Sequence, residues 1–172
     1  QADRYLPAFD PPHRLDPNIG ESIGNTVSPA MFQNHRRDMG EAMGRALEVA
    51  RQADRELLQL IGRGYGVIEQ YRYEGAEFVI ATLGSMTGTA RDAVDELRSE
   101  GLPVGLLKVK LFRPFPLQDI RDAASGVSKI MVLDRNFAPG TGGFLFQEIK
   151  AALYGMHGAP EVHGYLAGVG GT

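Results

Sequence analysis

The residues best able to do chemistry in this chain gather in three short stretches, GSMTGT (84–89), RPFP (113–116) and DRNFAPGTGG (134–143). In the first, the hydroxyls of Ser85 and Thr87 lie among glycines just where a helix could begin, so side-chain O–H and free backbone N–H groups could hold an anion. The stretch lacks the lysine of a phosphate loop and the full spacing of a glycine-rich dinucleotide turn, so a structural turn is the leading reading. In the third, Asp134 and Arg135 follow an apolar run and could orient a ligand, or could form a local ion pair. Gly140 and Gly142 would let the backbone approach a partner closely. In RPFP, Arg113 is the one charge in a corner whose two prolines fix φ and remove two donors. It could stack on the flanking rings, or hold a carboxylate or a neighbouring backbone through its planar fork, so the corner reads as rigid first and as a binding site second. Lys108 and Lys110, two apart in the preceding run, share one face of a strand, so that end of it is not wholly dry.

Composition excludes much other chemistry. With no cysteine in 172 residues, the chain can make no disulfide, thiolate nucleophile or cysteine-held iron-sulfur or zinc site. Its four histidines, His13, His35, His157 and His163, lack the spacing that converges on a metal. A formal charge of −3, with no basic run, argues against nucleic acid and anionic membranes as partners. No apolar stretch is long enough to span a bilayer and no charged-then-apolar start marks a signal peptide, so a cytoplasmic protein is expected. The proline-rich opening without an initiator methionine reads as an interdomain connector, and so as a piece of something longer.

The elements that would carry these stretches follow from periodicity. Residues 1–27 form the connector, and a single α/β domain occupies 28–172. Ser28 followed by Pro29 is a helix start, and Met39, Met43, Ala46, Leu47, Ala50, Leu57, Leu58 and Ile61 recur at threes and fours up to Gly62. The implied helix, about 29–61, is long enough to cover a neighbouring domain as well as its own. From about 67 the pattern alternates: a short strand at 67–71, the continuous apolar run FVIATL at 78–83, and a helix capped by Thr89 with Asp92 that stops at Gly101. A strand at 104–112, a short helix at 117–124, the run KIMVL at 129–133 as a buried strand, a helix at 144–154 and a strand at 162–166 follow. Such alternation predicts an α/β fold, a mainly parallel sheet with helices on both faces, preceded by a connector and a long N-terminal helix. Ligands meet such sheets at the carboxyl ends of the strands, which is where the three stretches fall.

Taken in order, GSMTGTARDAVDELRSEGLPVGLLKVKLFRPFP, VLDRNFAPGTGGFLFQEIKAALYG and YLAGVGG resemble the alpha subunit of the pyruvate:ferredoxin oxidoreductase family, and YLPAFDPP and GRGYGVIEQY extend the resemblance over nearly the whole chain. The runs LDRNF and FRPFP look closer to pyruvate-type than to 2-oxoglutarate-type members. The resemblance implies a transketolase C-terminal-like domain that follows the pyrimidine-binding thiamine domain. It also implies an enzyme that oxidatively decarboxylates a 2-oxoacid to an acyl-coenzyme A, with thiamine diphosphate, Mg2+ and iron-sulfur clusters passing electrons to ferredoxin. In that family the thiamine and the clusters are held by other domains, so no catalytic residue, cofactor or metal is assigned to this chain, and its implied partners are the other domains or subunits. The alternative, drawn from the residues alone, is a free-standing α/β module that holds an anionic ligand at the loops 84–89 and 134–143.

Overall fold

The computed structural model describes residues 6, 8–20, 23–24 and 26–171. Part of the expected connector, residues 1–5, 7, 21–22 and 25, lies outside the described residues. Helix α1, Pro29–Ile61, starts where the Ser28 hydroxyl accepts the Met31 N–H at 3.3 Å. It ends where Gly62, at φ 73°, returns its N–H to the Leu58 carbonyl at 2.8 Å, a left-handed cap that favours glycine. No residue of α1 is buried. Its last third leans on the rest of the chain through the Arg51–Asp119 ion pair at 2.8 Å and through Asp54, which accepts the N–H groups of Tyr65 and Gly66. Those two bonds hold the Asp54 carboxyl below its ordinary range.

Five strands form one sheet in the order β1-β3-β2-β4-β5: β1 (Ile68–Tyr71), β2 (Phe78–Leu83), β3 (Val104–Val109), β4 (Lys129–Asp134) and β5 (Glu161–Leu166). All neighbours are parallel except β1, which runs antiparallel on β3 at one edge. Helices α2 (Met86–Ser99), α3 (Leu117–Ala124) and α4 (Phe144–Leu153) join the parallel strands. The chain steps from β2 to β3 in one direction, then reverses past β2 to β4 and goes on to β5. Right-handed crossovers that reverse direction must change face. Accordingly Ala90 and Val94 of α2 pack with Ile80, Val104 and Leu106 on one face, while α3 and α4 bring Ile120, Ala124, Leu145 and Ile149 onto Val79, Leu107, Ile130 and Val132 on the other.

Several boundaries differ from the sequence reading. Helix α2 begins at Met86 rather than at the Thr89 box, and its cap residue Ser85 makes no side-chain cap bond. Instead the Thr87 hydroxyl donates to the Gly84 carbonyl at 2.8 Å and meets the Thr82 hydroxyl at 3.0 Å, which ties the first turn to the end of β2. Strand β3 stops at Val109, because Lys110 and Leu111 both turn their N–H groups onto the Val67 carbonyl. The run at 129–133, expected to be buried, is buried on one face only: Lys129 and Met131 are exposed beside Ile130 and Val132. The reversal explains this, since both later helices lie on the opposite face and none returns to cover β4 and β5.

Candidate functional site

Strand β2 carries its loop to α2 on one face, while its neighbours β3 and β4 send theirs to the other, so the carboxyl ends of the sheet open at either side of β2. On the β4 side the structure brings together two of the sequence-selected residues. Arg135 donates through Nη1 to the Ser85 hydroxyl at 3.1 Å and through Nε to the Gly168 carbonyl at 3.4 Å. A cavity of about 480 Å3 lies beneath this bridge, lined by Met86, Thr89, Leu133 and Ala167 among others. Thr87, by contrast, is buried in the turn described above and faces no opening.

Asp134 does not pair with Arg135. Its carboxylate is 3% exposed and turns inward, accepting the N–H groups of Leu145 at 3.1 Å and Phe146 at 3.0 Å. Asn136 donates to the same carboxylate at 3.0 Å and accepts the Phe144 N–H at 2.8 Å. The two side chains together satisfy three of the donors that the first turn of α4 would otherwise leave open, a cap delivered from the end of the neighbouring strand. Gly143 makes room for it: a Cβ there would stand 2.1 Å from the Asp134 Oδ2. Gly140 and Gly142, at φ 86° and 88°, shape the tight loop closed by the Ala138–Gly142 bridge. Asn136 escaped the sequence reading, because it lies eight residues ahead of the helix it caps and no local capping signal spans that distance.

The RPFP corner also finds its partners inside the chain. The Arg113–Pro114 peptide bond is cis. Arg113 stacks over the Phe112 ring at 4.3 Å, donates to the Phe112 carbonyl at 2.9 Å, and pairs with Glu148 of α4 at 2.6 Å. Phe112 and Phe115 meet edge to face with centroids 6.1 Å apart and pack on the core beneath. The corner thus ties the end of β3 to α4, with half of the Arg113 side chain left in solvent.

Two apolar surfaces have no cover from the described residues. One is the stripe of α1, where Met31, Phe32, Met39 and Met43 are about half exposed. The other is the bare face of β4 and β5, where Phe78, Leu97, Met131, His163 and Tyr165 line a hollow of about 420 Å3. No helix among the described residues is long and apolar enough to cross a membrane. Cofactor residues are harder to place: the chain has no cysteine, and among the described residues no three His, Asp or Glu side chains are grouped to hold a metal ion. The chain therefore offers no cysteine thiolate for an iron-sulfur cluster.

Residues 76–172 match the family described as pyruvate:ferredoxin oxidoreductase core domain II. The chain is 40% identical over 169 residues to pyruvate synthase subunit PorA of Methanothermobacter thermautotrophicus, covering 98% of this chain and 43% of that protein. It is 39% identical to ketoisovalerate oxidoreductase subunit VorA of Pyrococcus horikoshii, again over 98% of this chain and 43% of the other. It thus spans less than half the length of these relatives. Among solved structures, the 2-oxoglutarate:ferredoxin oxidoreductase from Magnetococcus marinus, with 2-oxoglutarate, coenzyme A and succinyl-CoA bound, superposes with a TM-score of 0.57 at 25% identity, covering 83% of this chain and 21% of that one.

Proposed function

Since the chain belongs to the pyruvate:ferredoxin oxidoreductase core domain II family, we propose that it serves as a non-catalytic assembly domain of a cytoplasmic, thiamine-dependent 2-oxoacid:ferredoxin oxidoreductase. The 2-oxoacid is pyruvate on the strength of the PorA relatives, and the products are acyl-coenzyme A, carbon dioxide and reduced ferredoxin. Thiamine diphosphate, Mg2+ and the clusters sit in other domains or subunits, as the family resemblance implies, and this chain has no cysteine to hold a cluster.

One observation carries the assembly role: a 33-residue helix with an apolar stripe and no buried residue. An isolated helix is marginal in water, and an amphipathic one is normally stabilised by what its apolar face packs against. The rest of this chain half covers Ala46, Leu47, Ala50 and Leu57 but not the stretch from Met31 to Met43, so the other domains must cover that part. Replacing Met39 and Met43 with glutamate tests this. The double variant is expected to leave the melting of the α/β layers unchanged, since neither side chain is buried, and to abolish co-elution with the remaining chains of the oxidoreductase. Co-elution unchanged by the double substitution refutes the role.

A further inference from the structure

Lys108 stands near the end of β3, with Glu69 of the edge strand β1 opposite it on one side and Thr82 of β2 on the other. A half-buried lysine in such a place ordinarily takes the facing carboxylate. Here it does not. The Glu69 carboxylate is held by Arg91 of α2 and by Lys110 at 2.7 Å, and among the described residues Lys108 has no hydrogen-bond or ion-pair partner. The Arg91 Nε–H is buried without an acceptor. Arg63, just past α1, stacks on the Tyr65 ring at 4.7 Å and has no ion pair among the described residues.

These four cations line one cleft of about 620 Å3 with Tyr65, Leu83, Gly84 and Val109. Among the described residues, Glu69 is the only carboxylate in its wall, which leaves a formal charge of +3. Asp54, whose charge also reaches Lys110, is engaged by the Tyr65 and Gly66 N–H groups. The crowding registers on Lys110, whose ammonium is held below its ordinary range by burial first and by repulsion from Arg91 and Arg63 besides, against the opposing pull of Asp54. The cleft opens at the carboxyl ends of β2 and β3, which send their loops to opposite faces of the sheet. That is the crevice in which open α/β sheets take their ligands.

We propose that this cleft is a binding site for a phosphoryl-bearing anion of diphosphate size. A phosphomonoester carries about −1.5 to −2 at neutral pH, so a diphosphate balances the wall where a single carboxylate would not. Its oxygens, spread over two tetrahedra, accept from donors that point in different directions, here the Lys108 ammonium and the guanidinium groups of Arg91, 40% exposed, and Arg63. The site is distinct from the Ser85–Arg135 bridge on the other side of β2 and does not depend on the assembly role.

The probe is inorganic diphosphate, titrated into the chain by calorimetry at about 0.15 M chloride, where loose surface pairing is screened. One saturable site is expected. Lys108→Met, which keeps the apolar stem, should weaken it at least about tenfold, equivalent to ~1.4 kcal/mol. Arg63→Gln, at an exposed position, should weaken it in the same direction and serves if the Lys108 variant does not fold. Arg135→Ala should leave it unchanged. The proposal is overturned by the absence of saturable binding, or by binding indifferent to Lys108 and Arg63. It is equally overturned if Arg135→Ala alone abolishes binding, or if binding seen with the chain is lost in the assembled oxidoreductase, which would mean that a partner's carboxylates fill the cleft.

Discussion

Removing the Asp134 carboxylate tests whether the end of β4 holds a helix rather than a ligand. Asp134 is 3% exposed and accepts two N–H groups from the first turn of α4. In Asp134→Ala, both amides and the Asn136 amide lose an acceptor at once. Loss of an exposed N-cap costs about 0.5 to 2 kcal/mol, and each buried N–H left unpaired costs about 1 to 3. Partial entry of water into the vacated space keeps the sum below the simple total, and about 3 to 4 kcal/mol is expected. For a chain of this length that lowers the melting temperature by about 10 °C. Asp134→Asn keeps one acceptor oxygen and should cost about half as much. Urea unfolding followed by circular dichroism gives the free energies, and hydrogen exchange at Leu145 and Phe146 shows whether the loss is local to α4. A cost below about 0.5 kcal/mol for Asp134→Ala, with no ligand present, would refute the capping role.

The neighbouring features give three further expectations. Gly143→Ala would set a Cβ 2.1 Å from the fixed Asp134 carboxylate and should destabilise by about 2 to 4 kcal/mol in the same urea assay, more than any loss of backbone freedom explains. Arg113→Ala should cost no more than about 1 kcal/mol, because half of the side chain is in solvent and an exposed pair is screened; a double-mutant cycle with Glu148→Ala measures the pair itself. Burial pushes the Tyr73 phenol, which donates to the Ala123 carbonyl at 2.8 Å, up to about 12. Its neutral form is favoured by the fold, so its contribution is complete below the ordinary tyrosine value of about 10 and is lost as pH rises toward 12. Alkaline melts of the wild type should therefore fall more steeply over that range than those of Tyr73→Phe.

Much of the fold was legible because its signals are local. Ser28 and Pro29 mark the start of α1 and Gly62 its end, since a capping hydroxyl and a left-handed φ are properties of single residues. The alternation of apolar runs with helical stretches called for a parallel sheet, and β2 to β5 are parallel. The start of α2 was misplaced because the Thr89–Asp92 box is a sound local signal, but the turn is tied instead by Thr87 to Thr82, which belongs to another element. The exposure of Met131 was hidden for a similar reason: an apolar run says that a strand can be buried on both faces, whereas strand order decides whether a helix is there to do it.

The functional stretches divide along the same line. Residue type alone showed that Arg113, Asp134 and Arg135 are charges at strand ends, and that Lys108 and Lys110 share a face. Only the folded chain decided that Asp134 faces α4, that Arg113 meets Glu148, and that Arg135 reaches Ser85. It alone brought Arg63 and Arg91 beside Lys108, from positions 45 and 17 residues away along the chain. Sequence determines the chemistry a side chain can do and the local conformation it prefers. Which partner it meets depends on strand order and on the face each crossover takes, and for these residues the crossovers left Asp134 against a helix and Lys108 against an open cleft.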